Sequence, residues 1–245
     1  MQKFFLMQQD YPQKQGIETV MRTAFQYWSR TLKFQLVFTM LFFSVLFSVY
    51  VYFAAKYGLI DQFREASGLI SDMEAYNEHI KKISQTPEWI NLSLILMGTL
   101  VFLYPLNLGF YKVYRKIDLK EEVTLTDLFS GYNGLNFLKY TSFYLFWFII
   151  FSYTSGTVIL GLVWVFVTLF CGPLMFFMDL RFFETFQLNF KVLKVHFMEV
   201  FICIIAAFLF KFAGLLLFGF GILLTFPFVN AMIYTLYQKY YREMN

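Results

Sequence analysis

FQLVFTMLFFSVLFSVYVYFAA, residues 34–55, decides the fold. It contains no charged side chain, and a helix of about 20 apolar residues is what crosses a hydrocarbon core about 30 Å thick. In water such a helix leaves apolar surface on every side, whereas in lipid it needs no cover. Further apolar runs follow at about 89–111, 138–153 and 157–178, the last two parted by a turn at Ser155-Gly156. The stretch 197–237 is too long for one crossing and too apolar for a surface. It reads as a hairpin with spans 197–217 and 221–237. Its turn falls near Gly214 or at Gly219-Phe220-Gly221, and the second is preferred because two glycines permit a tight reversal.

Composition agrees. The chain of 245 residues is 59% hydrophobic with 35 Phe and 17 Tyr, and only 15% is charged, against roughly 25% in a soluble domain. A soluble fold of this size has too little polar surface to hide that apolar content. The expected fold class is all-α, a single polytopic membrane domain over 1–245 with six transmembrane helices. The mostly polar segment before residue 34 and the length of the first run argue for a retained span rather than a signal peptide.

Charge sets the expected orientation. Lys3, Lys14, Arg22, Arg30, Lys33, Lys112, Arg115, Lys116, Lys120, Lys139, Arg181, Lys191, Lys194, Lys239 and Arg242 fall on one side of the predicted spans. Lys56, Arg64, Lys81, Lys82 and Lys211 fall on the other. The positive-inside rule then places both termini in the cytoplasm. The net charge of +4 is spread over these short loops, so no nucleic-acid partner is expected. Cys171 and Cys203 both sit in apolar runs, so a disulfide framework is not indicated.

The longest outside loop has apolar residues at Leu59, Phe63, Ala66, Ile70, Met73, Tyr76, Ile80 and Ile83, spaced by three and four. That spacing predicts an amphipathic helix over 59–84 with an acidic outer face of Asp61, Glu65, Asp72, Glu74 and Glu78. It packs on its own span tops, or binds a protein partner or a second copy. Shorter amphipathic segments precede the odd-numbered spans: Ile17, Met21, Ala24, Trp28, Leu32; Leu125, Leu128, Tyr132, Leu135, Leu138; and Phe183, Phe186, Phe190, Leu193, Phe197. The second opens with Thr124 and Asp127 at capping-box spacing. The third carries Lys191 and Lys194 opposite its aromatic stripe, the pattern of a helix lying in the membrane interface. Each even-numbered span holds one proline, Pro105, Pro173 or Pro227. The expected unit is thus interface helix, span, and span with proline, three times over as three repeated hairpins.

The stretch Gly219-Phe-Gly221-Ile-Leu-Leu-Thr-Phe-Pro227-Phe-Val-Asn230, followed by Tyr234, resembles the last hairpin of a large group of bacterial membrane proteins. That group includes the YciC-like proteins and the membrane domain attached to some glycerophosphodiester phosphodiesterases. Residues 179–197 resemble it too, and Tyr104-Pro105-Leu-Asn-Leu-Gly109 is an earlier echo. The resemblance implies a helical fold in a bacterial inner membrane and carries little about function. The phosphodiesterase barrel of some members is absent, so that activity is not implied here.

Reactive constellations are scarce. His79 and His196 fall on opposite sides of the predicted membrane, so they form no dyad and no paired haem ligation. No P-loop, dinucleotide fingerprint, metal-ligand spacing or paired catalytic carboxylates can be assembled, and no cofactor is expected. Ionisable groups in or near spans are Asp179, Glu199 and Lys211, functional candidates by default. Asp179 and Glu199 lie near predicted cytoplasmic ends and Lys211 is able to snorkel outward, which favours anchoring. Asn107 and Asn230 follow Pro105 and Pro227 closely. They line a polar cavity beside a carbonyl freed by proline, or satisfy broken backbone and glue helices. The leading expectation is a non-enzymatic, lipid-accommodating or membrane-organising scaffold or subunit whose partner is membrane lipid. A transporter or channel at Asn107 and Asn230 is the second, and a lipid-modifying enzyme using Asp179 or Glu199 the third.

Overall fold

The computed structural model describes residues 16–216 and 219–241. Lys3, Lys14 and Arg242 of the charge pattern, and residue 217 at the predicted end of the fifth span, lie outside them. Among the described residues all regular structure is helical. Helix α1 spans Ile17–Arg30 and α2 Leu32–Lys56, joined at Thr31, whose hydroxyl donates back to the Tyr27 carbonyl at 2.8 Å. Two short helices follow, α3 at Leu59–Ser67 and α4 at Met73–Ser84, where Asp72 caps α4 by accepting from the Glu74 and Ala75 N–H groups. The single helix expected over 59–84 is therefore two, parted by the turn at 68–72. Asp72 stops the first pattern because its carboxylate starts a new helix.

Helix α5, Pro87–Leu119, has 33 residues and is about 50 Å long. Proline fits its first turn, where no N–H partner is needed, and Thr86 accepts the Trp89 N–H. A 3-10 helix at Leu125–Tyr132 leads into α6, Asn136–Thr154, at a bend of 73°. The expected capping box is present: the Thr124 N–H donates to Asp127 Oδ2 at 2.9 Å. Then come α7 at Val158–Val167, α8 at Cys171–Met178 and α9 at Phe182–Ala213. A 3-10 turn at Gly214–Leu216, α10 at Ile222–Thr225 and α11 at Phe228–Tyr241 complete the order. Helix α9 kinks at His196, where the sequence sets the interface segment against the fifth span.

Four helical stretches are long and apolar enough to cross a membrane: Leu32–Lys56, Pro87–Leu119, Val158–Met178 and Phe182–Leu216. The bent pair Leu125–Tyr132 and Asn136–Thr154 is a fifth if counted as one span. Large apolar side chains stand exposed on several of them, among them Phe47, Leu94, Phe102 and Leu209. That length and that surface point to hydrocarbon as the solvent. The sixth predicted span, 221–237, is the four-residue α10 followed by α11 of 14 residues. The break inside it, between α10 and α11, lies beside the first part of α2, where Phe226 packs on Phe38, Phe42 and Phe43.

The main core surrounds the second half of α5. Leu103, Leu106, Leu108, Phe110, Val113 and Tyr114 are all buried there against α1, α2, α8, α11 and the 3-10 helix. Close backbone packing occurs although the chain has no Gly-x-x-x-Gly pair. A Cβ on Gly109 would lie 2.0 Å from the Leu128 carbonyl oxygen, and one on Gly131 would lie 2.3 Å from that of Pro105. Two glycines from different segments thus do what a paired motif does within one helix. A smaller cluster of Ala54, Leu59, Ala66, Ile83 and Leu92 joins α3 and α4 to the far ends of α2 and α5.

Candidate functional site

The three prolines do different work. Helix α5 continues through Pro105. Proline there removes one ladder donor, and neighbouring side chains serve the carbonyls around it: Tyr132 Oη donates to the Phe102 carbonyl at 2.8 Å, and Asn107 Nδ2 to that of Tyr104 at 3.4 Å. Pro173 sits in the first turn of α8 and Pro227 just before α11, each after a helix break. Both breaks free carbonyls that lipid does not satisfy, so side chains from elsewhere must. Asn189, fully buried, donates to the Phe166 carbonyl at 2.9 Å, and Trp28 Nε1 donates to that of Leu224 at 2.8 Å. Thr168, at the first break, donates to the Trp164 carbonyl and accepts from Trp147 Nε1 at 2.7 Å.

Between these irregular points lies a cavity of about 370 Å³. Helix α5 gives it Tyr104, Asn107 and Tyr111; α6 gives Phe143, Tyr144, Trp147 and Phe151. The α7–α8 region adds Val165, Thr168, Leu169 and Gly172, and α9 and α11 add Phe208, Val229, Asn230 and Ile233. One wall is a ladder of near-parallel rings. Tyr104 stacks on Tyr144 at 4.2 Å and 7°, Tyr144 on Trp147 at 5.4 Å and 5°, and Trp147 on Phe151 at 5.0 Å and 10°. Gly172 leaves room for this wall, because a Cβ there would come within 3.0 Å of the Tyr104 hydroxyl.

Asn107 and Asn230, far apart in sequence, meet in the cavity: Asn230 Nδ2 donates to Asn107 Oδ1 at 3.2 Å. An asparagine amide offers two N–H donors and one carbonyl. After the bonds above, the Asn230 carbonyl and one N–H on each amide remain for a ligand. The pair joins α5 to α11 and also lines the cavity. No residue of the lining carries a formal charge.

The ionisable candidates stand elsewhere. Asp179, in the left-handed region at φ 53°, is exposed and bonded to Lys139 Nζ at 2.7 Å. That hydrogen bond and the ammonium charge hold its carboxyl below the ordinary value. Glu199 is tied to Lys239 and accepts from Tyr240 Oη at 2.9 Å, while His196 stacks on Tyr240. Lys211, which the sequence reads as able to snorkel outward, has its ammonium 4.2 Å from the Phe226 ring centroid, with Phe208 and Phe212 within 6 Å.

Several contributors were not singled out from the sequence. Asp118 accepts from Tyr27 Oη at 2.5 Å and Tyr234 Oη at 2.7 Å, tying α1 and α11 to α5. Asp127, expected from the sequence only as the capping-box carboxylate, is also buried and paired with Lys112 and Lys116 at 3.2 and 2.9 Å. Thr168 is a lone polar residue in an apolar run, and that isolation was the one signal available for it; Asn189 lies between Gln187 and Lys191 and gave no such signal. Among the described residues, no three or more of His, Cys, Asp and Glu gather to hold a metal ion. Comparison with protein-family models, curated proteins and solved structures finds no match.

Proposed function

We propose that this chain is a non-enzymatic integral membrane protein that accommodates an amphiphile, holding its uncharged polar part against Asn107 and Asn230 and its apolar part along the aromatic ladder. The observation that carries this reading is the cavity, apolar and aromatic except for neutral hydrogen-bonding groups. Such a lining fits an ester, hydroxyl or amide joined to a hydrocarbon tail. An ion has no counter-charge there, which weighs against an ion channel. Neither Asp179 nor Glu199 lines the cavity, so the lipid-modifying enzyme lacks its acid and base.

The test is extraction in mild detergent followed by native mass spectrometry. The proposal expects a copurifying amphiphile that is lost in V229W, which fills the cavity, and weakened in N107L. A V229W protein that retains the same ligand at the same occupancy contradicts it. A second reading, transport of a neutral solute, draws on the helix breaks flanking the cavity, because discontinuous helices mark transporter sites. Uptake into vesicles separates transport from static binding.

The proposed setting is a bacterial inner membrane, with six crossings in three hairpins and both termini cytoplasmic. Supporting it are the charge asymmetry and two antiparallel pairings. Trp164 Nε1 donates to the Trp147 carbonyl between α6 and α7, and Phe210 packs on Phe228 between α9 and α11. The position of Phe226 beside the first part of α2 makes the last hairpin the decisive one. A cysteine at Phe220 labelled only from outside supports six crossings. Protection from both sides replaces the last pair with a re-entrant hairpin.

A further inference from the structure

A second concave surface lies where α6 begins and α9 starts, outside the asparagine cavity. It is a groove of about 410 Å³. Its floor and walls are rings: Phe146 packs on Phe182 at 5.3 Å and Phe182 on Phe183 at 5.2 Å. Its mouth carries Lys139, Ser142 and Arg181. The charges there are not all spent. Lys139 is bonded to Asp179. Glu184 accepts the Arg181 main-chain N–H at 2.8 Å, but the Arg181 guanidinium makes no ion pair among the described residues. The Ser142 hydroxyl is exposed and likewise makes no hydrogen bond there. A planar guanidinium beside a hydroxyl suits the two free oxygens of a phosphodiester. The adjoining channel of phenyl rings suits an acyl chain.

We propose that this groove binds one glycerophospholipid, with its phosphodiester on Arg181, Ser142 and Lys139 and an acyl chain along Phe146, Phe182 and Phe183. The Arg181 guanidinium, without an ion pair among the described residues and continuous with apolar walls, selects this occupant over a neutral lipid or a soluble anion. The site is distinct in chemistry from the asparagine cavity, whose lining is uncharged. The two share the Phe143 side chain as a wall.

The test is native mass spectrometry of the delipidated full chain titrated with dioleoylphosphatidylglycerol, dioleoylglycerol or inorganic phosphate. Wild type is expected to hold one phosphatidylglycerol that R181A holds about tenfold more weakly, the range for losing a charged hydrogen bond. R181K is expected to fall between them. F146A is expected to weaken binding while keeping the charges. Circular dichroism melts verify that each variant is folded, and a variant that fails is replaced by S142A, whose exposed side chain leaves the fold unchanged. Equal retention by wild type and R181A overturns the proposal, as does equal binding of dioleoylglycerol or of inorganic phosphate alone. N107L is expected to leave this binding unchanged, so failure of the groove and failure of the central cavity are read separately.

Discussion

Helices α2 and α5 each run through two regions that treat the same kinds of side chain in opposite ways. Around the second half of α5, Leu106, Phe110, Tyr114 and their neighbours are buried on every side. Along the far halves of the same two helices, buried residues are few, and Phe47 and Leu94 stand 67% and 55% exposed. The apolar residue types do not separate the regions, since Leu and Phe occur in both. What separates them is the partner: protein atoms in the first, and in the second a solvent that leaves phenyl and isobutyl groups without penalty. The difference teaches that hydrophobicity here specifies lipid exposure and core packing alike, and that only small and polar residues mark which is which.

Substitution sharpens that contrast most strongly at glycine. G109A places a methyl 2.0 Å from backbone that has no flexible end to yield, and should destabilise by about 3 kcal/mol in thermal unfolding. G98A, on the far half, meets nothing within 4 Å and should stabilise by up to about 1 kcal/mol through helix propensity. Equal effects at the two sites break the comparison. Next in size, L106A should cost about 2–4 kcal/mol, whereas L94A should stay within about 0.5 kcal/mol.

A smaller effect follows from pH. Burial pushes the Asp127 carboxyl up, but the Thr124 N–H and the Lys116 and Lys112 ammoniums outweigh it and hold it at about 2, below its usual 3.8. A lowered folded value means stability that is present above about pH 4 and lost as pH falls toward 2. D127N should cost about 1 kcal/mol at neutral pH and flatten the wild-type loss between those limits in an acid titration followed by tryptophan fluorescence. The smallest effect is expected outside the main core. Replacing 59–84 with a short linker should leave its melting temperature unchanged. It should also leave assembly size unchanged, since Leu59, Ala66 and Ile83 pack on α2 and α5. A smaller assembly on light scattering would instead assign that segment to a partner or a second copy.

Much of the architecture was legible because membrane solvation writes itself into long runs. The first span was expected at 34–55 and is helical over Leu32–Lys56. The second was expected at 89–111, and α5 overruns it because Lys112, Arg115 and Lys116 continue the helix past the apolar stretch. The junction expected near Phe197 is the kink at His196. The segment before the third span was expected as an amphipathic helix, but its spacing of three and four does not separate the α form from the 3-10 form adopted. Gly131 and Gly109 bring the two backbones of this segment and α5 together. Asn107 and Asn230 were readable as polar residues after prolines. Their bond to each other was not, because pairing across so long a stretch leaves no local period. The same holds for Asn189, Trp28 and Asp118, whose partners are carbonyls or hydroxyls on distant helices.

The central claim is that hydrocarbon bathes the far halves of α2 and α5. It is tested most directly by nitroxide labels at Phe47 and Leu94 in reconstituted bilayers, with oxygen and a water-soluble nickel chelate as competing relaxants. The account predicts strong relaxation by oxygen and little by nickel at both positions. Strong relaxation by nickel with little by oxygen would place those faces in water and contradict it.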